Sequence, residues 1–244
     1  MPSEALYGEI LRWQGVEYAA CDAERRVYDY SPGFLRLARD AFGYHWVDAD
    51  HFAFFLLDVC GHGVGAALLS VAVANTLRSE ALPKTDFRAP GEVLSALNQA
   101  YQMDDHGDLF FTIWYGVYRH ATRQLEYATA GHPPAILVTG VPEAPGRIEQ
   151  LGGPGPSVGI SPTATYGVQE RLVPSPSRLF LFSDGTFEIG RPDGSMLAFD
   201  EFVELLAQPG TVGESELDRM LDFARAQHGP GPLEDDFSIV KLEL

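Results

Sequence analysis

Four short segments carry acids in settings that suit chemistry. In Leu57-Asp58-Val59-Cys60-Gly61-His62-Gly63-Val64-Gly65-Ala66-Ala67 an acid closes an apolar run, and glycines then lead into an Ala-rich stretch. A strand, glycine turn and helix in that order let backbone approach a ligand closely and aim the N–H groups of a helix start at an anion. An Asp that only caps the helix is the competing reading. Residues 178–183 repeat the theme with an apolar run that ends in Asp184-Gly185, although Asp-Gly after a strand also makes an ordinary turn. Glu234-Asp235-Asp236 stands just before a last apolar run, where a solvated acidic turn is the alternative, and Asp40 precedes the first run. Acids from three strand ends, together with Asp40, repel strongly on one sheet edge unless they share cations. An oxygen-only ligand set selects Mg²⁺ or Mn²⁺ over zinc or copper.

The elements that must position these acids are legible as alternating strand and helix patterns. Residues 51–58 (HFAFFLLD) have the length and composition of a buried strand, and 108–119 (DLFFTIWYGVYR) have the aromatic and β-branched content of a second. A turn at 120–123 leads into 124–129, which reads as a hairpin. Further strands are expected at 134–139, 178–183 and 237–244. Residues 64–80 read as one helix. Residues 92–101 place Val93, Leu94, Leu97, Ala100 and Tyr101 on one face of a second, and the two should pack side by side on the sheet. Ser215 and Asp218 form an S-x-x-D capping signal before Leu217, Met220, Leu221 and Ala224, and Gly229-Pro230 stops that helix. The Gly/Pro-rich stretch 140–162 reads as a long loop without a period. Locally paired strands with helices between them imply α+β layers with largely antiparallel sheets, and no linker divides residues 1–244, so a single domain is expected.

Composition narrows the function classes. The 244 residues hold 17 Lys+Arg against 34 Asp+Glu, a net charge of −17, with no basic block. Nucleic acid and anionic membrane are therefore excluded as partners, since both demand positive charge. Two cysteines, Cys21 and Cys60, make no disulfide framework and no zinc spacing, which points to a reducing, cytoplasmic setting. The first fifteen residues lack the apolar core of a signal peptide, and the longest apolar stretches fall short of the ~20 residues that span a bilayer.

In order along the chain, these residues resemble the protein phosphatase 2C-like domains of the SpoIIE/RsbU type. Asp58-Val59-Cys60-Gly61-His62-Gly63-Val64-Gly65-Ala66-Ala67-Leu68-Leu69 is similar to the family's D-V-S-G-H-G-x-x-A-A-L-L signature. Phe111-Thr112-Ile113-Trp114-Tyr115-Gly116-Val117 and Ala128-Thr129-Ala130-Gly131-His132-Pro133-Pro134 resemble the following strand and the A-N-A-G-H-x-P turn. Gly155-Pro156-Ser157-Val158-Gly159, Ser183-Asp184-Gly185-Thr186-Phe187-Glu188 and Asp235-Asp236-Phe237-Ser238-Ile239-Val240 resemble G-x-P-L-G, T-D-G-x-x-E and D-D-I-T-L-V. Six ordered motifs from about residue 15 to the end are a specific signal where any one would be weak.

The resemblance implies an αββα sandwich of two antiparallel sheets flanked by helices, with two Mn²⁺ or Mg²⁺ ions at one edge. Asp58 would bridge the ions with the Val59 carbonyl on the same metal, Asp184 and Asp235 would bind the second, and Asp40 would be a further ligand, directly or through water. It implies hydrolysis of a phosphoserine or phosphothreonine by metal-activated water. The implied substrate is a phosphorylated STAS-domain anti-anti-sigma protein, and an upstream receiver or sensor domain and a homodimer are both compatible with it.

The match departs from the family in two places. The usual G-G-D reads Ala38-Arg39-Asp40, so both glycines are lost, and Cys60 stands where serine is usual. Cys60 reads as a small packing residue, His62 as either a proton shuttle or a turn histidine, and His132 as structural. Arg39 reads as solvated, with a phosphate contact as the alternative. A degenerate phosphatase fold that binds a partner without turnover is the competing function; retention of all four acids favours the enzyme.

Overall fold

Two aromatic runs, 42–46 and 52–55, are joined by a short turn that closes on its own acids. Asp48 accepts hydrogen bonds from the Asp50 amide at 2.8 Å and the His51 amide at 2.9 Å, while Asp50 accepts from Arg119 Nε and the Ala121 amide, both at 2.8 Å. These bonds, the Asp50 amide first and the His51 ring next, hold the Asp48 carboxyl at about 2, below its ordinary 3.8. A turn so fixed sets the register of the strands that leave it.

The computed structural model describes residues 16–21, 39–141, 143–209, 215–231 and 233–244. The first fifteen residues, read above for a leader, and Ala38 of the Ala38-Arg39-Asp40 segment lie outside them. In chain order the elements are β1 (Val16–Cys21), β2 (Asp40–Trp46), β3 (His51–Val59), α1 (Val64–Arg78), α2 (Pro90–Ala100), β4 (Phe111–Arg119), β5 (Gln124–Ala130), β6 (Ala135–Thr139), β7 (Arg147–Leu151), β8 (Gln169–Leu172), β9 (Ser177–Phe182), α3 (Phe199–Ala207), α4 (Glu216–His228) and β10 (Phe237–Glu243). They fall into two compact units, a middle one (residues 35–134 and 151–173) and a terminal one that contains β1, residues 135–150 and residues 174–244.

The middle unit holds a five-stranded sheet in the order β2-β3-β4-β5-β8, with every neighbouring pair antiparallel. Alternate residues of β3 and β4 (Phe55, Leu57, Ile113, Tyr115) join Ala66, Val73, Leu77, Val93, Leu94 and Leu97 of α1 and α2 in one buried core. Helix α1 lies over β2 and β3, and α2 over β4 and β5, so the two helices cover one face as their apolar spacing requires. The Tyr115 hydroxyl, buried with that core, donates to the Phe87 carbonyl at 2.9 Å.

The terminal unit holds a second sheet in the order β1-β10-β9-β6-β7, antiparallel at the β1–β10, β10–β9 and β6–β9 pairings. Ile136, Phe180, Phe182, Phe237 and Ile239 pack with Phe202, Leu206, Leu217 and Met220 of α3 and α4. Ser215 caps α4 by accepting from the Asp218 amide at 3.4 Å, and Gly229 ends it, as the sequence signal predicts. Glu216, in the first turn of α4, pairs with buried Arg178 on β9 and lies 3.5 Å from Lys241 Nζ on β10. A buried pair of this kind adds little net stability but is costly to break, and it fixes the start of α4 against the sheet.

The α+β class with two antiparallel sheets is thus observed, with two differences of detail. The stretch read as a loop from 140 to 162 contains strand β7, and β1, β2, β8 and α3 have no sequence assignment above. Short edge strands such as β7 (RIEQL), which buries only Leu151, and the largely exposed β8 (QERL) carry too few apolar residues to show a period of two.

Candidate active site

In the middle unit the register fixed at the Asp48 turn brings Asp40 directly opposite Asp58 at the other end of the β2–β3 hairpin. Asp58 is in turn opposite Thr112 on β4, and Val59 opposite Phe111. Side chains directly opposite across antiparallel strands share a face with Cβ atoms roughly 5 Å apart, and like charges placed so are destabilising. Asp40, Asp58 and Thr112 form a row on the sheet face away from α1 and α2, and Asp58 is nine-tenths buried. Asp58 does not cap α1: the cap is Gly63, and among the described residues no side chain caps the first turn. That removes the capping alternative. The turn between β3 and α1 depends on glycine, because Gly61 and Gly63 have φ of 113° and 89°, in the left-handed region. Arg39 is no loose surface cation, since its Nη1 donates to the Gly61 carbonyl at 3.2 Å and its own carbonyl accepts from the Val59 amide at 3.4 Å. His62 is exposed at the start of the helix.

In the terminal unit a turn does what register does in the middle one. Asp184 opens a single 3₁₀ turn, Asp184–Thr186, directly after β9. That turn closes through the Asp184 carbonyl, which accepts from the Phe187 and Glu188 amides at 2.9 and 2.8 Å. The Asp184 carboxylate accepts no hydrogen bond among the described residues, so the turn does not explain it. Ser183 stitches the turn to the segment before β10. Its hydroxyl donates to the Asp236 carbonyl at 3.3 Å and accepts from the Ser238 amide at 3.2 Å, and its amide donates to the Ser238 carbonyl at 3.0 Å. A Cβ on Gly185 would lie 2.1 Å from the Asp236 carbonyl oxygen and 3.3 Å from Asp235 Cβ; only glycine permits this approach. The Asp235 carboxylate is oriented by the Asp236 amide at 2.7 Å.

Each unit therefore gathers two of the four predicted acids: Asp40 with Asp58, and Asp184 with Asp235. Among the described residues no group of three His, Cys, Asp or Glu side chains forms a ready metal cage. A pair of carboxylates nevertheless suits Mg²⁺, which keeps several waters and takes only one or two protein carboxylates along with substrate phosphates. The donor set is oxygen throughout, and the register puts Asp40 and Asp58 side by side on one face. The residues fit a hard divalent ion.

Thr112 and His132 carry a contact that the sequence does not announce. His132 is 4% exposed, and its Nδ1 lies 3.0 Å from the Thr112 hydroxyl. The signal for it is the Gly131 turn, whose φ of 69° folds His132 back onto β4. Asn98 of α2 plays a plainer part by accepting from the Gly159 amide at 2.9 Å and donating to the Ser161 carbonyl at 2.8 Å, which fastens the 157–161 loop to the helix.

Comparison with known proteins places this geometry. A family model described as Stage II sporulation protein E (SpoIIE) matches residues 48–244. The phosphoserine phosphatase RsbU of Bacillus subtilis (strain 168) is 26% identical over 200 residues, covering 82% of this chain and 58% of RsbU. The chain thus spans less than two thirds of that relative's length. Among solved structures, the SiaA-PP2C domain of Pseudomonas aeruginosa superposes with a TM-score of 0.75 at 17% identity, covering 97% of this chain and 90% of that one. RsbX in complex with magnesium superposes with a TM-score of 0.62 at 18% identity, covering 94% of each chain. These likenesses show a shared fold. No helix among the described residues is long and apolar enough to cross a membrane.

Proposed function

The chain belongs to the SpoIIE family, and on that premise we propose that it is a metal-dependent serine/threonine protein phosphatase. The observation that carries the proposal is the register that sets Asp40 directly opposite Asp58 on one sheet face, with Cβ atoms roughly 5 Å apart, where one cation can meet both carboxylates. Asp40, Asp58, the Val59 carbonyl, Asp184 and Asp235 would hold two Mn²⁺ or Mg²⁺ ions. When bound, such ions supply a water of lowered pKa and neutralise charge on the phosphoryl group.

The chain's own residues do the rest. The first turn of α1 has neither a side-chain cap nor an acid, so its amides are available to a phosphate oxygen. Hydrolysis breaks the phosphorus–oxygen bond to serine or threonine, the water oxygen stays on the phosphate, and the leaving oxygen takes a proton. His62, exposed beside that turn, is placed to give it. Arg39 holds the Gly61 carbonyl and so fixes the loop that carries His62. Both units serve one catalytic domain over residues 1–244 in this reading.

RsbU is by name a phosphoserine phosphatase, and RsbX is described with magnesium; both support the reading. The substrate we assign is a phosphorylated STAS-domain anti-anti-sigma protein in a cytoplasmic signalling chain, with a receiver or sensor domain upstream in the full system. A second reading, a phosphoprotein-binding module without turnover, is favoured by the absence of a three-acid group among the described residues and by Arg39 in place of glycine. Incubation of a serine-phosphorylated STAS-domain protein with the chain and Mn²⁺ separates the two. Release of inorganic phosphate supports the enzyme, and stable co-elution with phosphate retained supports the module.

A further inference from the structure

Helix α1 is apolar on both of its faces. Ala66, Leu69, Val73, Ala74 and Leu77 fill the core of the middle unit, yet the outward positions are Val64, Gly65, Leu68, Ala72 and Asn75, with Val64 62% and Leu68 53% exposed. No charged side chain occurs in α1 before Arg78. Helices α3 and α4 follow the ordinary rule that a solvent face is polar or charged: α3 exposes Asp200, Glu201 and Glu204, and α4 exposes Asp218 and Asp222. Half-buried Leu109, from the segment before β4, continues the uncharged surface of α1, since a Cβ on Gly61 would lie 3.0 Å from one of its methyl groups and a Cβ on Gly65 3.5 Å from the other. Contiguous exposed apolar surface with a polar border marks a place where another molecule sits.

Reach and charge identify that molecule. The phosphate site assigned above is the first turn of the same helix, and Leu68 opens the second turn, about 7–8 Å along the axis from Gly63 at ~1.5 Å per residue. An extended chain covers that span in about two residues at ~3.3 Å each. We propose that Leu68, with Leu109 beside it, is a docking surface for the phosphoprotein substrate, and that it receives an aliphatic side chain two residues from the phosphoserine. The inference rests on the phosphatase reading and deepens it by giving the sequence chemistry of the substrate. Charge selects in the same direction. Asp104, Asp105 and Asp108, in the segment that leads to Leu109, are exposed, and the chain carries a net charge of −17. An acid flanking the phosphoserine meets like charge there and no cation on the outer face of α1 before Arg78, whereas a leucine in its place removes apolar area from water on both partners.

The test uses two synthetic alanine-based phosphoserine peptides, alike except for leucine or glutamate two residues to either side of the phosphoserine, as substrates of the full chain with Mn²⁺. Hydrolysis of p-nitrophenyl phosphate by wild type is the control for chemistry. Wild type is expected to turn over the leucine peptide with a kcat/KM about tenfold or more above that of the glutamate peptide. Leu68→Lys, an exposed change whose fold circular dichroism checks, should bring that ratio to within about threefold of unity or invert it, because the lysine loses the apolar contact and attracts the glutamate. Asn75→Lys adds the same charge about two turns further along the face and should leave the wild-type ratio as it is. Equal turnover of the two peptides by wild type, or turnover of neither, overturns the docking surface, as does an unchanged ratio in Leu68→Lys; hydrolysis of p-nitrophenyl phosphate leaves the phosphatase standing in each case. A ratio that falls as far in Asn75→Lys as in Leu68→Lys is an effect of overall charge and overturns the docking surface too. Sedimentation that finds a wild-type dimer and a Leu68→Lys monomer assigns the face to a second copy of the chain and overturns the proposal. Wild type that hydrolyses neither the peptides nor p-nitrophenyl phosphate overturns the phosphatase reading itself, and the docking surface with it.

Discussion

The middle and terminal units each bring two acids together, but they do so with different structural devices. Asp40 and Asp58 meet because β2 and β3 are locked in register by the turn at Asp48, at the far end of their hairpin. Asp184 and Asp235 meet because a one-turn 3₁₀ segment and the approach to β10 touch through Ser183 and Gly185. A register-held pair is supported by every rung of its ladder and resists a single change. A contact-held pair depends on one or two small residues. The comparison teaches where this chain is fragile: in the terminal unit, where a methyl group suffices to part the acids.

The largest effect is expected from the acids themselves. Asp184→Asn should keep the fold, since its carboxylate supports no turn, and should lower Mn²⁺-dependent turnover by about 100-fold or more; full activity would remove Asp184 from the mechanism. Gly185→Ala should come next, because its Cβ meets a backbone carbonyl that cannot give way cheaply. A loss of about 1–3 kcal/mol in urea unfolding is expected, with activity falling alongside. An equally mild response at Gly185 and at a β2–β3 ladder position such as Ala41 would break the comparison. Arg39→Gly restores the residue usual in the family yet deletes the bond to Gly61. A loss near 1 kcal/mol, or roughly fivefold in rate, is expected; a rise would show that the arginine obstructs the site.

The smallest effect is a pH dependence of the register. The folded carboxyl of Asp48 sits at about 2 against an ordinary 3.8, so its contribution to stability is complete above pH 4 and is lost as pH falls toward 2. Thermal melts of wild type and Asp48→Asn should therefore converge over that range. A constant gap between them would show that other groups set the register.

How much of this is legible in the sequence follows from the same contrast. Strands β3, β4 and β9 are dense in apolar residues and declare themselves, as do the helices with caps or a clear face. The acid at the end of each run is visible for the same reason. The opposition of Asp40 and Asp58 is not, because β2 is short and the loop that sets its register reads as an ordinary polar turn, Asp48-Ala49-Asp50. The aromatic alternation Phe42, Tyr44, Trp46 is the signal that identifies β2 in retrospect. Gly185 reads as generic turn chemistry until a carbonyl is found 2.1 Å from its absent Cβ. The Thr112–His132 contact joins residues twenty positions apart through a left-handed glycine, a geometry that residue spacing does not encode. Its ligand roles aside, the resemblance to the SpoIIE/RsbU type correctly implies the fold.

The proposed phosphatase requires the paired acids of this chain to hold cations for phosphate-ester hydrolysis. Its most direct test is p-nitrophenyl phosphate turnover by the purified chain in EDTA, Mg²⁺ and Mn²⁺, with Asp58→Ala as the control. The expected activity requires the divalent ion, vanishes in EDTA and is lost in Asp58→Ala while circular dichroism is unchanged. Absence of turnover in folded wild-type protein with either ion, or turnover that survives Asp58→Ala, would contradict it.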